Sequence, residues 1–278
     1  SSVAFFNAQG QNTYLVPSQC TTIQQAIDSS SNGDTIQIAS GTYTEYDITV
    51  NKQVTIIGAD SSTTILVDST NSDSVRCFYI TVLNVSIENL TIKNYHDDEH
   101  GGAIYSSKTF NLKNVHFLNN QGGDADYGGG AVHIYYGSST PRTATFTGCR
   151  FTNNSSTSPG GQNSGGGALN IVGHSGGKDS INLTLVSCVF AGNETNDSNA
   201  VSDGGALYTN EVGIITISKC KFYDNRSYDK GSAIYARYSD YMSIENSLKK
   251  VGGNPLAIEL WGKRKLAYFI DKQKYGTY

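Results

Sequence analysis

Gly101–Tyr105 reads GGAIY, and the phrase returns as GGAVHIY at Gly129–Tyr135, GGALNIV at Gly166–Val172, GGALY at Gly204–Tyr208 and GSAIY at Gly231–Tyr235. A second phrase alternates with it, Phe followed three residues later by Asn: FLNN at Phe117–Asn120, FTNN at Phe151–Asn154, FAGN at Phe190–Asn193 and FYDN at Phe222–Asn225. The alanines of the first phrase (Ala103, Ala131, Ala168, Ala206, Ala233) are 28, 37, 38 and 27 residues apart. Self-similarity at such a period is the mark of a stacked array, in which each unit buries its apolar face against the next.

Within a unit the hydrophobic residues alternate. Ile104, Val132, Leu169, Leu207 and Ile234 follow the alanine, and the next position holds Tyr105, His133, Asn170, Tyr208 and Tyr235. Period two over a few residues is a half-buried strand. Upstream of each Phe, LKNVHF, FTGCRF, LVSCVF and ISKCKF share apolar-x-x-(Val/Cys)-x-Phe, and IENLTI at Ile87–Ile92 fits one unit earlier. Inward residues three apart predict a bend between two short strands, at Asn89, Asn114, Gly148, Ser187 and Lys219. Each unit then holds about three short strands, with loops of very different length between them. That suits a parallel β-helix, whose loops project sideways from a constant coil. A β-propeller would need longer and more even antiparallel blades.

Cys20–Ser30 (CTTIQQAIDSS) puts Ile23, Ala26 and Ile27 on one face of a short helix. It precedes the first strands, GDTIQIASGTY and NKQVTIIGAD. The end of a coil stack is an open sheet edge, and a covering helix is one way to protect it. The expected organisation is a cap at 1–30, a β-helix over 31–248, and a C-terminal cap or partner-docking segment over 249–278. The inward pattern lapses after Ile244, where the Cys and Phe positions become Ser247 and Lys249, and Leu256–Leu260 suits one further strand.

GDTIQIASGTYTE followed by ITVNKQVTIIGA resembles the first coils of pectin-lyase-like parallel β-helix proteins. The alternating GGA(Ile/Leu/Val) and Phe-x-x-Asn phrases, over roughly Gly101–Arg237, resemble the repeats of chlamydial polymorphic outer-membrane proteins, which are surface adhesins on that fold. The resemblance implies an all-β, single right-handed parallel β-helix of about eight coils, ~40 Å long at ~4.8 Å per coil. It implies adhesion, or a structural unit of an extracellular assembly, at a secreted or cell-surface location. Partners would be an extracellular glycan, a protein surface or neighbouring copies. The alternative function is a polysaccharide-active lyase or hydrolase, because one fold hosts many chemistries.

Composition narrows these readings. The chain has 278 residues and a net charge of −4. Residues Lys249–Tyr278 hold seven Lys/Arg and two acids, a balance of +5, which leaves −9 on the remainder. An acidic shaft does not suit nucleic acid. No run of 18 apolar residues spans a membrane. The first residues are too short for a signal peptide, so a mature chain whose leader has been removed is expected.

Asn-x-Ser/Thr sequons begin at Asn84, Asn89, Asn153, Asn154, Asn182, Asn193, Asn196 and Asn225. Asn84, Asn182 and Asn196 are the foremost glycosylation candidates, with Asn89 and Asn153 behind them. Asn154, Asn193 and Asn225 belong to the Phe-x-x-Asn phrase, where stacked turn asparagines bond their own and neighbouring coils. Cys149, Cys188 and Cys220 recur at one inward position and read as a stacked small hydrophobe. Coil spacing puts neighbouring cysteines within disulfide reach, and Cys20 and Cys77 are left over.

Two polar features stand out. Tyr95–His100 (YHDDEH) gathers acids and imidazoles just before the first GGA. Asp97, Asp98 and Glu99 are the candidate Ca2+ ligands, and His96 and His100 candidate transition-metal ligands, of a chain otherwise expected to carry no cofactor. The outward column Tyr105, His133, Tyr208, Tyr235 is a candidate ligand-binding stripe, since exposed tyrosines stack on sugars and on proteins. Catalysis in a β-helix draws acids and a base from several coils on one face. The turns equivalent to the acidic loop read Ala125–Tyr127, Gln162–Ser164 and Val201–Asp203, and no such cluster is visible in them. The expectation is therefore a protein without catalytic residues.

Overall fold

The computed structural model describes residues 11–70, 72, 74–123, 128–137, 140, 142–157, 164–173, 181–196, 202–227, 231–247, 258–261 and 266–269. Its strands form a right-handed parallel β-helix with one short helix at the start. A single turn shows the plan. Asn111–Lys113 lies in a first sheet, His116–Leu118 in a second, Gln121–Gly123 in a short corner sheet, and Val132–Tyr135 in a sheet that follows each GGA phrase. The chain then re-enters the first sheet at Arg142–Thr147. Among the described residues the first sheet has ten strands, the second seven, the GGA sheet eight and the corner sheet five. Every pairing is parallel except that of Ser74–Val75 with His96–Asp97. Strands Ile258–Trp261 and Leu266–Phe269 extend the GGA sheet and the first sheet.

The unit thus has four strands rather than three. The extra one, in the corner sheet, follows the ladder asparagine (Tyr95 in the earliest case) and is two or three residues of mostly polar or glycine sequence (His96–Asp97, Gln121–Gly123, Ser155–Thr157, Glu194–Thr195), which carries no alternation to read. The predicted bends are real. Asn89, Asn114, Gly148, Ser187 and Lys219 take left-handed φ between 53° and 65°. A second set lies just before the ladder asparagines, at Asn119, Asn153, Gly192 and Asp224, and before Tyr95 at the same position one coil earlier, at Asn94, with φ between 52° and 62°. Asn and Gly dominate these positions because they tolerate this region at low cost.

Three stacks fill the interior. Phe117, Phe151, Phe190 and Phe222 lie face to face with centroids 4.8, 4.7 and 4.7 Å apart, all buried. Beside them Asn120, Asn154, Asn193 and Asn225 form a ladder. Asn154 Nδ2 donates to Phe117 O (3.1 Å) and to Asn193 Oδ1 (2.9 Å), and its backbone N donates to the same Oδ1 (3.0 Å). Each amide therefore satisfies backbone groups that the bend has removed from the sheets. The third stack is Cys149, Cys188 and Cys220, all buried and none in a disulfide.

The GGA glycines are there for backbone approach. A Cβ on Gly130 would stand 1.8 Å from Gly167 O, and one on Gly167 would stand 2.3 Å from Gly205 O. Coils pass too closely at this corner for any side chain. In the last copy Ser232 replaces the second glycine, and it is half-exposed.

The helix Ile23–Ser29 buries Ile23, Ala26 and Ile27, as the sequence pattern indicates. Thr22 Oγ1 accepts from Gln25 N at 3.0 Å. The Glu45 carboxylate accepts from Ile23 N at 2.8 Å, at the positive end of the helix dipole. Burial nonetheless holds the Glu45 carboxyl above its ordinary range.

Candidate functional site

Parallel pairing in the GGA sheet puts Thr49, Tyr79, Tyr105 and His133 in one outward column, one per coil. The Tyr79 and Tyr105 rings stack with centroids 5.5 Å apart and planes 1° apart. His100 packs on Tyr105 at 4.0 Å, and His133 lies 5.4 Å from Tyr105 and 5.7 Å from His100. The Arg76 guanidinium stands 5.5 Å from the Tyr105 centroid. Tyr79, Tyr105 and His100 are half-buried, whereas His133 is fully enclosed. Burial first, then the charges of His100 and Arg76, drive the His133 pKa down to about 3. That imidazole is neutral at any physiological pH and supports the rings beside it.

The acidic loop folds around this column. Asp97 is buried; its Oδ1 accepts from Glu99 N (2.8 Å) and His100 N (3.1 Å), and its Oδ2 meets Arg76 Nε at 2.5 Å. The carboxylate is therefore committed to shaping the turn and neutralising Arg76, and Asp97 is not available as a Ca2+ ligand. Asp98 and Glu99 are exposed, and Asp98 Oδ1 lies 3.1 Å from His96 Nε2. Among the described residues no group of three or more His, Cys, Asp or Glu is arranged to hold a metal ion.

The expected stripe is corrected at its far end. Tyr208 and Tyr235 are 1% and 4% exposed, their rings 5.8 Å apart, and burial pushes the Tyr208 phenol up to about 12. Asn170, between them and His133, is also buried and donates to Gly128 O at 2.6 Å. The glycine turns explain the enclosure. A Cβ on Gly165 would stand 2.3 Å from the Tyr208 ring, and one on Gly129 would stand 2.9 Å from Asn170 Cβ. Each turn before a GGA strand lies over the outward residue of the next coil. In the coil of Tyr79 the GGA positions are held by Val75, Arg76 and Cys77, and the Arg76 side chain lies over Tyr105, the outward residue of the next coil.

Arg76 and Tyr79 were not legible as site residues, and His100 was legible only as a possible metal ligand of the Tyr95–His100 cluster. Arg76-Cys-Phe-Tyr79-Ile80 lacks the GGA leader, so its register with Ile104–Ser106 had no sequence mark. Asp47, left-handed and exposed, also reaches this corner: its backbone N donates to Arg76 O at 2.7 Å. Tyr46 beside it is 49% exposed.

The sequon asparagines separate by geometry. Asn84, Asn153 and Asn196 are exposed, and Asn84 and Asn153 sit at left-handed bends. Asn182 and Asn89 are half-buried; Asn182 Oδ1 accepts from Ile214 N (3.0 Å), and Asn89 Oδ1 accepts from Asn114 Nδ2 (3.1 Å). Asn154 and Asn193 are fully enclosed.

No family model and no curated protein matches the sequence. Among solved structures the chain is similar to the pectin methylesterase PemA of Erwinia chrysanthemi, at 12% identity and a TM-score of 0.44, over 91% of this chain and 80% of that one. It is similar to the pectin methylesterase of Yersinia enterocolitica at 13% identity and a TM-score of 0.40, over 87% and 94%. A protein of Geobacillus virus E2, ORF18, follows at 15% identity and a TM-score of 0.36, over 88% of this chain and 55% of that one. These are likenesses of fold, the pectin-lyase-like β-helix. The expectation of a chain without catalytic residues is corrected by the first two neighbours, which are enzymes. In this chain Arg76 and Tyr79, then Asp97, His100 and Tyr105, then His133 are supplied to one corner by successive coils.

Proposed function

We propose that the protein engages a polysaccharide outside the cell, at the corner formed by Thr49, Tyr79 and Tyr105. One observation carries this reading. Tyr79 is stacked on one side by Tyr105 and on the other faces the short side chain of Thr49, in the strand Ile48–Val50 where the GGA sheet ends. The column therefore steps down by most of a ring at Thr49. A sugar ring seated on that step continues the stack, its C–H face against the phenol. Beside the column stand groups suited to sugar hydroxyls: Arg76 and His100 against Tyr105, Asp47 bonded to Arg76, and the His96–Asp98 pair in the turn that Asp97 holds. An apolar seat with a few convergent polar groups is the usual make-up of a small-ligand site. The resemblance of the repeats to those of surface adhesins supports an extracellular setting. No helix among the described residues is long and apolar enough to cross a membrane.

The test is a panel of purified glycans, scored for binding by calorimetry and for turnover by product analysis. Tyr79→Ala should weaken binding by roughly ten-fold or more, since a lost aromatic stack costs on the order of 1 kcal/mol beyond its buried area. Thr49→Tyr, which fills the step, should block the site while leaving the fold intact. Binding that survives both substitutions, or no binding by a folded wild-type chain, would overturn the proposal.

A further inference from the structure

We infer that the glycan taken at this corner carries no carboxylates: it is neutral or amine-bearing rather than a polyuronate. The inference rests on the binding reading above and concerns the charge of the ligand. A polyuronate site needs cations able to pair with the sugar carboxylates, and guanidinium forks do this best. The guanidinium at this corner belongs to Arg76. Its Nε is tied to the buried Asp97 at 2.5 Å, and its plane lies over Tyr105. Asp97 in turn is fixed by the N–H groups of Glu99 and His100, so Arg76 cannot change partner without unmaking the 97–100 turn.

Three exposed carboxylates stand at this corner. Asp47 is joined to Arg76 through the backbone, and Asp98 and Glu99 project from the turn that Asp97 holds. With Arg76 and Asp97 cancelling, Asp47, Asp98 and Glu99 leave three acidic side chains at the corner without a Lys or Arg to offset them. The corner sits on a shaft that is itself −9 outside residues 249–278. A chain of uronate residues laid here would meet repulsion at each coil, whereas hydroxyls or ammonium groups would find acceptors. Screening limits the effect of any one exposed charge, but a polymer meets them together.

The experiment measures dissociation constants for three polymers of similar length, a neutral β-glucan, a partly deacetylated chitosan oligomer and oligogalacturonate, at low and high salt. The neutral or the amine-bearing glycan should bind, and oligogalacturonate should bind at least ten-fold more weakly at low salt. The double variant Asp98→Lys/Glu99→Lys should narrow that preference by roughly three-fold or more, as expected for two reversed surface charges. Tighter binding of oligogalacturonate than of the other two would overturn the inference while leaving the glycan reading standing. An unchanged preference in the double variant would also overturn it. Failure of all three polymers to bind a folded chain would instead overturn the glycan reading itself.

Discussion

The backbone N–H of Cys188 donates to Sγ of Cys220, one coil on, at 3.3 Å. Cys188 Sγ donates in turn to Phe146 O (3.3 Å), and the next rung repeats the pattern with oxygen: Cys220 N donates to Ser247 Oγ at 3.0 Å. These residues follow the left-handed bends at Ser187, Lys219 and Asn246, where backbone pairing between strands lapses. The thiols were read as small hydrophobes, but they also accept N–H groups that the corner has orphaned. Cys220→Ser should therefore be tolerated better than Cys220→Val, although valine is the more apolar. The valine variant leaves a buried N–H unpaired, at about 1–3 kcal/mol. Urea denaturation decides it, and a valine variant as stable as the serine one would mean that the thiol accepts nothing of consequence. The hydrogen bond with Cys149 pushes the Cys188 thiol up to about 12, so native protein should resist alkylation there.

The asparagine ladder makes a second expectation concrete. Asn193 Nδ2 donates to Phe151 O and to Asn225 Oδ1, both at 2.9 Å, so that sequon has no accessible amide in the folded chain. Asn84 and Asn196 are exposed. In material from a glycosylating secretory host, glycopeptide mapping should find sugar at Asn84 and Asn196, and none at Asn154 or Asn193 in the folded fraction. Sugar on Asn193 in monomeric, cooperatively melting protein would dismantle the ladder.

A third expectation concerns the GGA corner. Gly130→Ala places a methyl 1.8 Å from Gly167 O, backbone that cannot step aside without parting two coils. The variant should lose several kcal/mol or fail to fold, within the usual range for severe overpacking of about 1–3 kcal/mol or more. Gly137→Ala, whose new methyl would stand 4.0 Å from a Tyr135 ring atom, is the matched control. Thermal melts of the pair should separate clearly, and equal melting temperatures would mean that the coils do not approach as closely as described.

Much of this fold was legible because each coil repeats one constraint. Phe190 must stack, Asn193 must serve two bends, and Gly167 must let a neighbouring backbone pass, so each recurs at a fixed phase and reads off the sequence. The site was legible only in part because it depends on where the repetition stops. Tyr79 matters through its register with Tyr105, which no GGA marks, and Arg76 matters through an ion pair to a residue 21 positions away. Tyr208 and Tyr235 share the phase of Tyr105, yet they are enclosed, and at Tyr208 it is the Gly165 turn that lies against the ring. Alternation identifies the face of a strand, and the turns of neighbouring coils decide whether that face is covered.

His133 supplies the last expectation, a pH dependence of stability. Its pKa falls from an ordinary 6.5 to about 3 in the folded state. Between those values the unfolded chain binds a proton at this position that the folded chain refuses. Stability therefore rises with pH through that window and is fully present above about 6.5, and it is lost progressively as pH falls toward 3. Part of the acid sensitivity of the melting temperature should accordingly belong to His133. Asn170 occupies the same position one coil on, so His133→Asn is a replacement that the fold already accommodates. The variant should melt with a flatter profile between pH 6.5 and pH 4 than the wild type, even if it is less stable at neutral pH. Superimposable slopes in that window would show that His133 takes up its proton in the folded chain, and that the corner beside Tyr105 is wetter than its burial indicates.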